Sequence, residues 1–212
     1  MLISAFLLLL ASPSPARAAD TACFDFDKKV TAPLRAPLPA KQGKDTSESG
    51  KTPGKGIWGA MRGEVNRPIQ ALYHQLLDHY TIKDPARIKL KVYDQERAGY
   101  SDFHVVMITL NLPMTTLNWE ENWGYATTEG TDADPKRIVI SYQKTTGSSF
   151  LPHLCGSIVL SATSKDSTDV YLYEEIDALG KRSPDETVKG HRGTFRTLRT
   201  PAVVANTAHA EN

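Results

Sequence analysis

Ser183-Pro184-Asp185-Glu186 reads as the start of a helix, and it follows a long succession of strand-like segments. A serine cap, a proline in the first turn and a glutamate three residues after the cap satisfy orphan amides and complement the positive helix end. The helix so started runs to Arg199. Before the strands, Gly63-Glu64-Val65-Asn66-Arg67-Pro68 marks a strand giving way to a first helix, with Asn66 as the expected cap and Pro68 in the first turn. The order strand, helix, meander, long terminal helix is that of an α+β domain in which one sheet carries the helices.

Ile57 to Val65 is the first expected strand, and the first helix shows Ile69, Leu72, Tyr73, Leu76, Leu77 and Tyr80 on one stripe, ending near Asp84-Pro85. Six runs follow: Ile88 to Arg97, Asp102 to Leu112, Leu117 to Thr128, Arg137 to Thr145, Gly156 to Thr163 and Asp169 to Ala178. Short Gly, Pro, Asp and Ser punctuation between them points to an antiparallel meander. The terminal helix is weak on its own. Its stripe is Val188, Phe195 and Leu198 with His191 in line, and Gly190 and Gly193 cost it about 2 kcal/mol of propensity. Such a helix relies on the sheet, and its small residues either permit close approach or leave space beside it.

A chain of 212 residues with 40% hydrophobic content can bury one good core, so a single domain is expected. The formal net charge of +1 gives no field that would favour nucleic acid. Residues 1–19 combine an apolar run, Leu2 to Ala11, with Ala16-Arg17-Ala18, and resemble a secretory signal peptide, although the basic start is missing. The run is too short for a permanent membrane span. The expected layout is therefore a signal peptide at 1–19, a flexible Pro/Lys/Ser-rich arm at 20–55, a folded domain at 56–200 and a disordered tail at 201–212, with the protein exported to a periplasm or the exterior. Cys23 and Cys155 are the only cysteines. Joined, they would close a loop of about 130 residues, worth about 4 kcal/mol in the chain-entropy model; left apart, they are two unrelated thiols. Neither has metal-ligand spacing or a nucleophile context.

Alternation assigns the faces of the strands. Leu117, Trp119, Glu121, Trp123 and Tyr125 share one face of their run, and it is the inner one. Ile138, Ile140, Tyr142 and Lys144 also point inward, as do Ile158, Leu160, Val170, Leu172, Glu174 and Ile176, and His104, Val106, Ile108, Leu110 and Leu112. Charged groups in such a lining either meet one another, reach solvent at strand ends, or orient the polar end of a ligand. Other patterns carry less. His74 and His79 are five apart and miss same-face spacing for a metal pair. Ser148, Ser149, His153 and Asp102 are hydrolase residue types without a nucleophile elbow. Arg192, Arg196 and Arg199 read as a solvated helix face. Neither a phosphate-cradling glycine loop nor a CxxC pair is present in the sequence.

Taken together, Gly63-Glu64-Val65-Asn66-Arg67-Pro68, Asp84-Pro85, the runs Ile138 to Lys144, Gly156 to Leu160 and Thr168 to Asp177, and the capped last helix resemble the helix-grip fold of the START-like, or SRPBCC, superfamily. The likeness covers about Gly56 to Thr200. It implies a curved antiparallel sheet of about six or seven strands wrapped around the terminal helix, with a short helix after the first strand and a tunnel for an apolar ligand. On that expectation Trp119, Trp123, Tyr125 and Tyr142 would contact the apolar body of a hydrophobic small molecule or lipid. Glu121 and Glu174 would anchor its polar end, and Val188, His191 and Phe195 would close the tunnel. No cofactor or metal is implied. The same scaffold also supports a cyclase, aromatase or dehydratase, in which a carboxylate of raised pKa works as general acid or base with His191. An envelope interaction protein with a filled core is the third reading.

Overall fold

The computed structural model describes residues 22–41, 43–53, 56–81, 86–179 and 183–200. The expected signal peptide at 1–19, the Asp84-Pro85 helix stop and the tail at 201–212 lie outside these residues. In chain order the elements are β1 (Thr46–Lys51), β2 (Ile57–Val65), α1 (Ile69–Leu77), a 3-10 turn (His79–Thr81), β3 (Ile88–Asp94), β4 (Asp102–Leu112), β5 (Thr115–Gly130), β6 (Pro135–Gly147), β7 (His153–Ser164), β8 (Ser167–Asp177) and α2 (Pro184–Arg199). The strands form one sheet ordered β1-β2-β8-β7-β6-β5-β4-β3, with every neighbouring pair antiparallel. β3 to β8 are the six runs of the meander. Bulges between Glu120 and Glu121, at Thr127 to Gly130 and at Ala162 to Ser164 add local bend to the long strands.

The sheet has eight strands rather than six or seven because β1 comes from the segment expected to be a flexible arm. Within 20–55, the described residues anchor apolar side chains into the fold. Phe24 and Phe26 are buried, and Phe26 meets Phe103 edge-on at 5.4 Å. The Gln143 side chain pairs with the backbone of Phe24 like a strand neighbour, accepting from its N–H at 2.8 Å and donating to its carbonyl at 3.0 Å. The Leu34 N–H donates to Ser157 Oγ at 2.9 Å, and Leu38 joins Val139, Val159, Tyr171 and Tyr173 in a second small core. Cys23 and Cys155 are joined by a disulfide spanning 132 residues of sequence. Residues 22–40 thus form a strap across the outer face of β6 to β8. Few apolar side chains suffice because prolines limit what the strap can lose on ordering.

The two helices begin differently. Ser183 caps α2, its hydroxyl accepting from the Asp185 N–H at 3.4 Å, with Pro184 in the first turn and Asp185 and Glu186 beside it. Asn66, however, does not cap α1. Pro68 occupies the cap position with φ −57° and ψ 144°, and no side chain caps the helix. Proline also pushes the residue before it towards extended backbone, so Asn66 sits too far upstream to reach the first free amides. At the far end of α2, Arg199 forks onto Asp45, ahead of β1, and donates to the Glu64 carbonyl at 3.0 Å, so this arginine clamps the helix to the sheet edge.

The main core lies between the inner face of the sheet and the helices. It joins Leu72 and Leu76 of α1, Phe195 and Leu198 of α2, and the inward residues of β4 to β8. Glu121 is part of it: fully buried, it accepts the indole N–H of Trp119 at 2.7 Å and that of Trp123 at 2.9 Å. The three residues are two apart on β5, so the pleat delivers both indoles to one carboxylate.

Two mutations test this packing. Phe26→Ala should cost about 3 kcal/mol in urea unfolding if the strap belongs to the fold; a change under about 0.5 kcal/mol would show that residues 22–40 are a loose cover. Glu121→Ala, which leaves two indole donors without this acceptor, should cost about 2–4 kcal/mol, and a neutral result would remove Glu121 from the core account.

Candidate functional site

Two glycines shape the space under α2. A side chain on Gly59 of β2 would meet Thr187 Cγ2 at 2.9 Å and the Val188 backbone nitrogen at 3.1 Å, so glycine there lets the first turns of α2 settle directly on the strand. His191, one turn on, donates Nε2–H to the Gly59 carbonyl at 3.1 Å. Burial holds the His191 pKa below the ordinary 6.5, against the opposing pull of the Glu174 carboxylate and the Gly59 carbonyl. The second glycine is Gly156 of β7, where any Cβ would collide with the Tyr142 ring from the neighbouring strand. Tyr142 lies in that slot, stacks on Trp123 at 4.2 Å between ring centroids and donates its hydroxyl to Glu174 Oε2 at 3.0 Å. Burial, then the Glu174 carboxylate, push the Tyr142 pKa well above 10, so the phenol stays protonated and remains a donor.

Between these groups and α2 lies a cavity of about 160 Å³ whose polar walls are Tyr142, Glu174, Glu186, Thr187, His191 and Thr194 and whose apolar floor includes Ile158, Leu172 and Ile176. Gly190 lies at its rim, and a Cβ there would meet nothing within 4 Å. A second cavity, about 390 Å³, opens towards the end of the sheet where the β6–β7 turn meets the residues after β8. Leu110, Leu112, Leu117, Trp119, Leu151 and Leu154 line it, with Phe150 and Leu179 at 53% and 56% exposure at its mouth. Ile176 lines both cavities, so a polar chamber and an apolar chamber adjoin through one side chain.

The residues singled out from sequence fall into three groups. Tyr142, Glu174 and His191 come together in the polar chamber, and Trp119 lines the apolar one. Trp123, Tyr125, Val188 and Phe195 are buried side chains that line neither, and Glu121 is held between its two indoles. Glu186, Thr187 and Thr194 of the polar chamber escaped notice because they belong to a helix read for its apolar stripe. Phe150, Leu151 and Leu179 of the apolar chamber had a visible signal: large apolar residues in a turn and at a strand end. A further polar cluster lies at the β3–β4 end. His79, expected to face solvent or bond locally, is buried and shares a hydrogen bond of 2.9 Å with His104, whose Nε2 is 3.3 Å from Asp94. Desolvation keeps the His104 pKa below its ordinary value.

No helix among the described residues is long and apolar enough to cross a membrane. No family model matches the sequence, and no curated protein matches it in sequence. Solved structures do match in fold. The human StarD13 (DLC2) lipid transfer and protein localization domain is similar with TM-score 0.55 at 13% identity, covering 82% of this chain and 89% of that one. A STAR-related lipid transfer protein from Xanthomonas axonopodis is similar with TM-score 0.55 at 12% identity, covering 77% and 96%. The Zhui aromatase/cyclase from Streptomyces sp. R1128 aligns with TM-score 0.46 at 15% identity, covering 74% and 92%. An antiparallel sheet gripping a C-terminal helix, with α1 after the first long strand, gives this chain the START-like, or SRPBCC, helix-grip fold.

Proposed function

We propose that this protein is an exported binding protein for an amphiphilic small molecule or lipid, held with its apolar body among Leu110, Leu112, Leu117 and Trp119 and its polar end at Tyr142, Glu174 and His191. The observation that carries the reading is that Ile176 lines both a polar chamber and an apolar chamber. An apolar chamber of about 390 Å³ is within the range of small-molecule sites, whereas the polar chamber alone is too small. The two similar lipid transfer structures support the same class of ligand. Export rests on the leader-like residues 1–19 and on the Cys23–Cys155 disulfide.

A second reading, an enzyme of the cyclase or dehydratase type, is favoured by one detail: a buried tyrosine donates to a carboxylate beside a histidine inside a cavity. Glu174→Gln decides between the two. A carrier should keep its ligand with at most a modest loss of affinity, whereas an acid–base enzyme should lose on the order of 10² to 10⁴ in turnover.

The binding reading predicts a co-purifying apolar ligand in native mass spectra of the full chain. Gly190→Phe, which fills the rim of the polar chamber, should weaken uptake of a fluorescent fatty acid at least about tenfold, a loss of about 1.4 kcal/mol. Gly190→Ala should leave binding intact and stabilise α2 by about 0.5–1 kcal/mol. A clean apo mass with no uptake by the parent protein would contradict the proposal.

His191 sets a pH dependence. Its folded pKa lies below the unfolded value of about 6.5, so the unfolded chain binds more protons below that pH. Its contribution is fully present above pH 6.5 and falls as the pH drops towards the folded pKa. Urea midpoints should therefore decline below pH 6.5, and less steeply in His191→Gln; equal slopes would show that His191 is not the group responsible.

A further inference from the structure

On the outer face of the sheet, opposite the chambers, four ligand-type side chains converge. Cys23 comes from the strap, His153 and Cys155 stand two apart on β7, and Glu175 of β8 is the cross-strand partner of Cys155. All four donor atoms lie within 4.8 Å of one another. His153 Nε2 is 3.6 Å from Cys23 Sγ and 3.3 Å from Cys155 Sγ, and Glu175 Oε1 is 3.7 and 3.3 Å from the same two atoms. The His153–Glu175 pair is 2.8 Å apart.

A tetrahedral zinc ion bound at about 2.3 Å to sulfur and about 2.0–2.1 Å to nitrogen and oxygen has sulfur-to-nitrogen and sulfur-to-oxygen edges of about 3.5 Å and a nitrogen-to-oxygen edge of about 3.3 Å. Five of the six edges are thus already within about 0.5 Å of that figure, and only the two sulfurs must part. The Tyr173 hydroxyl donates to the other oxygen of Glu175 at 2.9 Å, the kind of outer contact that orients a ligating carboxylate. Three of the four residues are only half-buried, which leaves an approach for an ion, while Cys155 is buried. We propose that in the dithiol state Cys23, His153, Cys155 and Glu175 form a tetrahedral zinc site that exchanges with the disulfide, so that either a metal or an S–S bond ties the strap to the sheet.

The exchange balances with a dithiol reductant. The Cys23–Cys155 bond breaks as the reductant's own S–S bond forms, and its two protons pass to the cysteine sulfurs. Zn²⁺ then displaces those two protons to solvent and binds both thiolates, neutral His153 and the Glu175 carboxylate. The spacing of the cysteines along the chain gave no sign of this, because sheet register and the strap assemble the set.

The test uses the full chain, oxidised or reduced with a phosphine, and zinc chloride in competition with a chromophoric chelator. The reduced protein should bind one zinc per chain at least about 100-fold more tightly than the oxidised protein. His153→Ala and Glu175→Gln, checked for fold by circular dichroism, should each weaken binding at least about tenfold. Cobalt in place of zinc should give a tetrahedral spectrum with thiolate charge transfer in the reduced parent chain. Equal zinc binding by the oxidised and reduced proteins, no binding by either, or unchanged affinity in both folded variants would overturn the proposal.

Discussion

The seating of α2 directly on β2 at Gly59 is the contact on which the interior depends. Removing one Cβ lets the first turns of the helix reach the strand backbone, and the His191–Gly59 hydrogen bond holds the approach. Arg199 secures the other end of the same helix through Asp45 and Glu64. Between those two fixings the helix presents Glu186, Thr187, Gly190, His191 and Thr194 to the cavity, and the side-chain-free Gly190 leaves room at its rim. The glycine that seats α2 is therefore Gly59 of the strand, while Gly190 and Gly193 of the helix face open space.

The outer face does a different job. β6, β7 and β8 contain consecutive apolar residues, such as Ile138-Val139-Ile140 and Val170-Tyr171-Leu172-Tyr173, and a sheet with water on one side does not need them. Val139, Val159, Tyr171 and Tyr173 are covered by the strap, and Arg35 stacks over Trp58 at 3.8 Å. Over β6 to β8 the sheet is consequently apolar on both faces, with the two chambers inside and the cysteine tie outside.

Much of this was legible in the residues, and the reasons are local. The cap chemistry of Ser183 placed α2, and period-two alternation put Trp119, Tyr142, Leu172 and Ile176 on the inner face where they stand. The strap and β1 were missed because polarity and proline content were read as disorder, although the unbroken apolar runs of the outer face implied a cover. Asn66 failed as a cap because proline geometry outranked side-chain preference. Which inward residues line space and which fill it was beyond reach of the alternation pattern. Trp123 and Tyr142 are alike by period and by type, yet Tyr142 borders the polar chamber and Trp123 lines neither chamber, a distinction that depends on Gly156 across the strand.

A crystal structure of the full chain purified without removing bound lipid tests the central claim most directly. Two-chamber binding predicts continuous ligand density passing Ile176, with its polar end near Tyr142, Glu174 and His191 and its apolar body beside Leu117 and Trp119. Ordered water alone in both chambers, or side chains of α2 closing them, would contradict it.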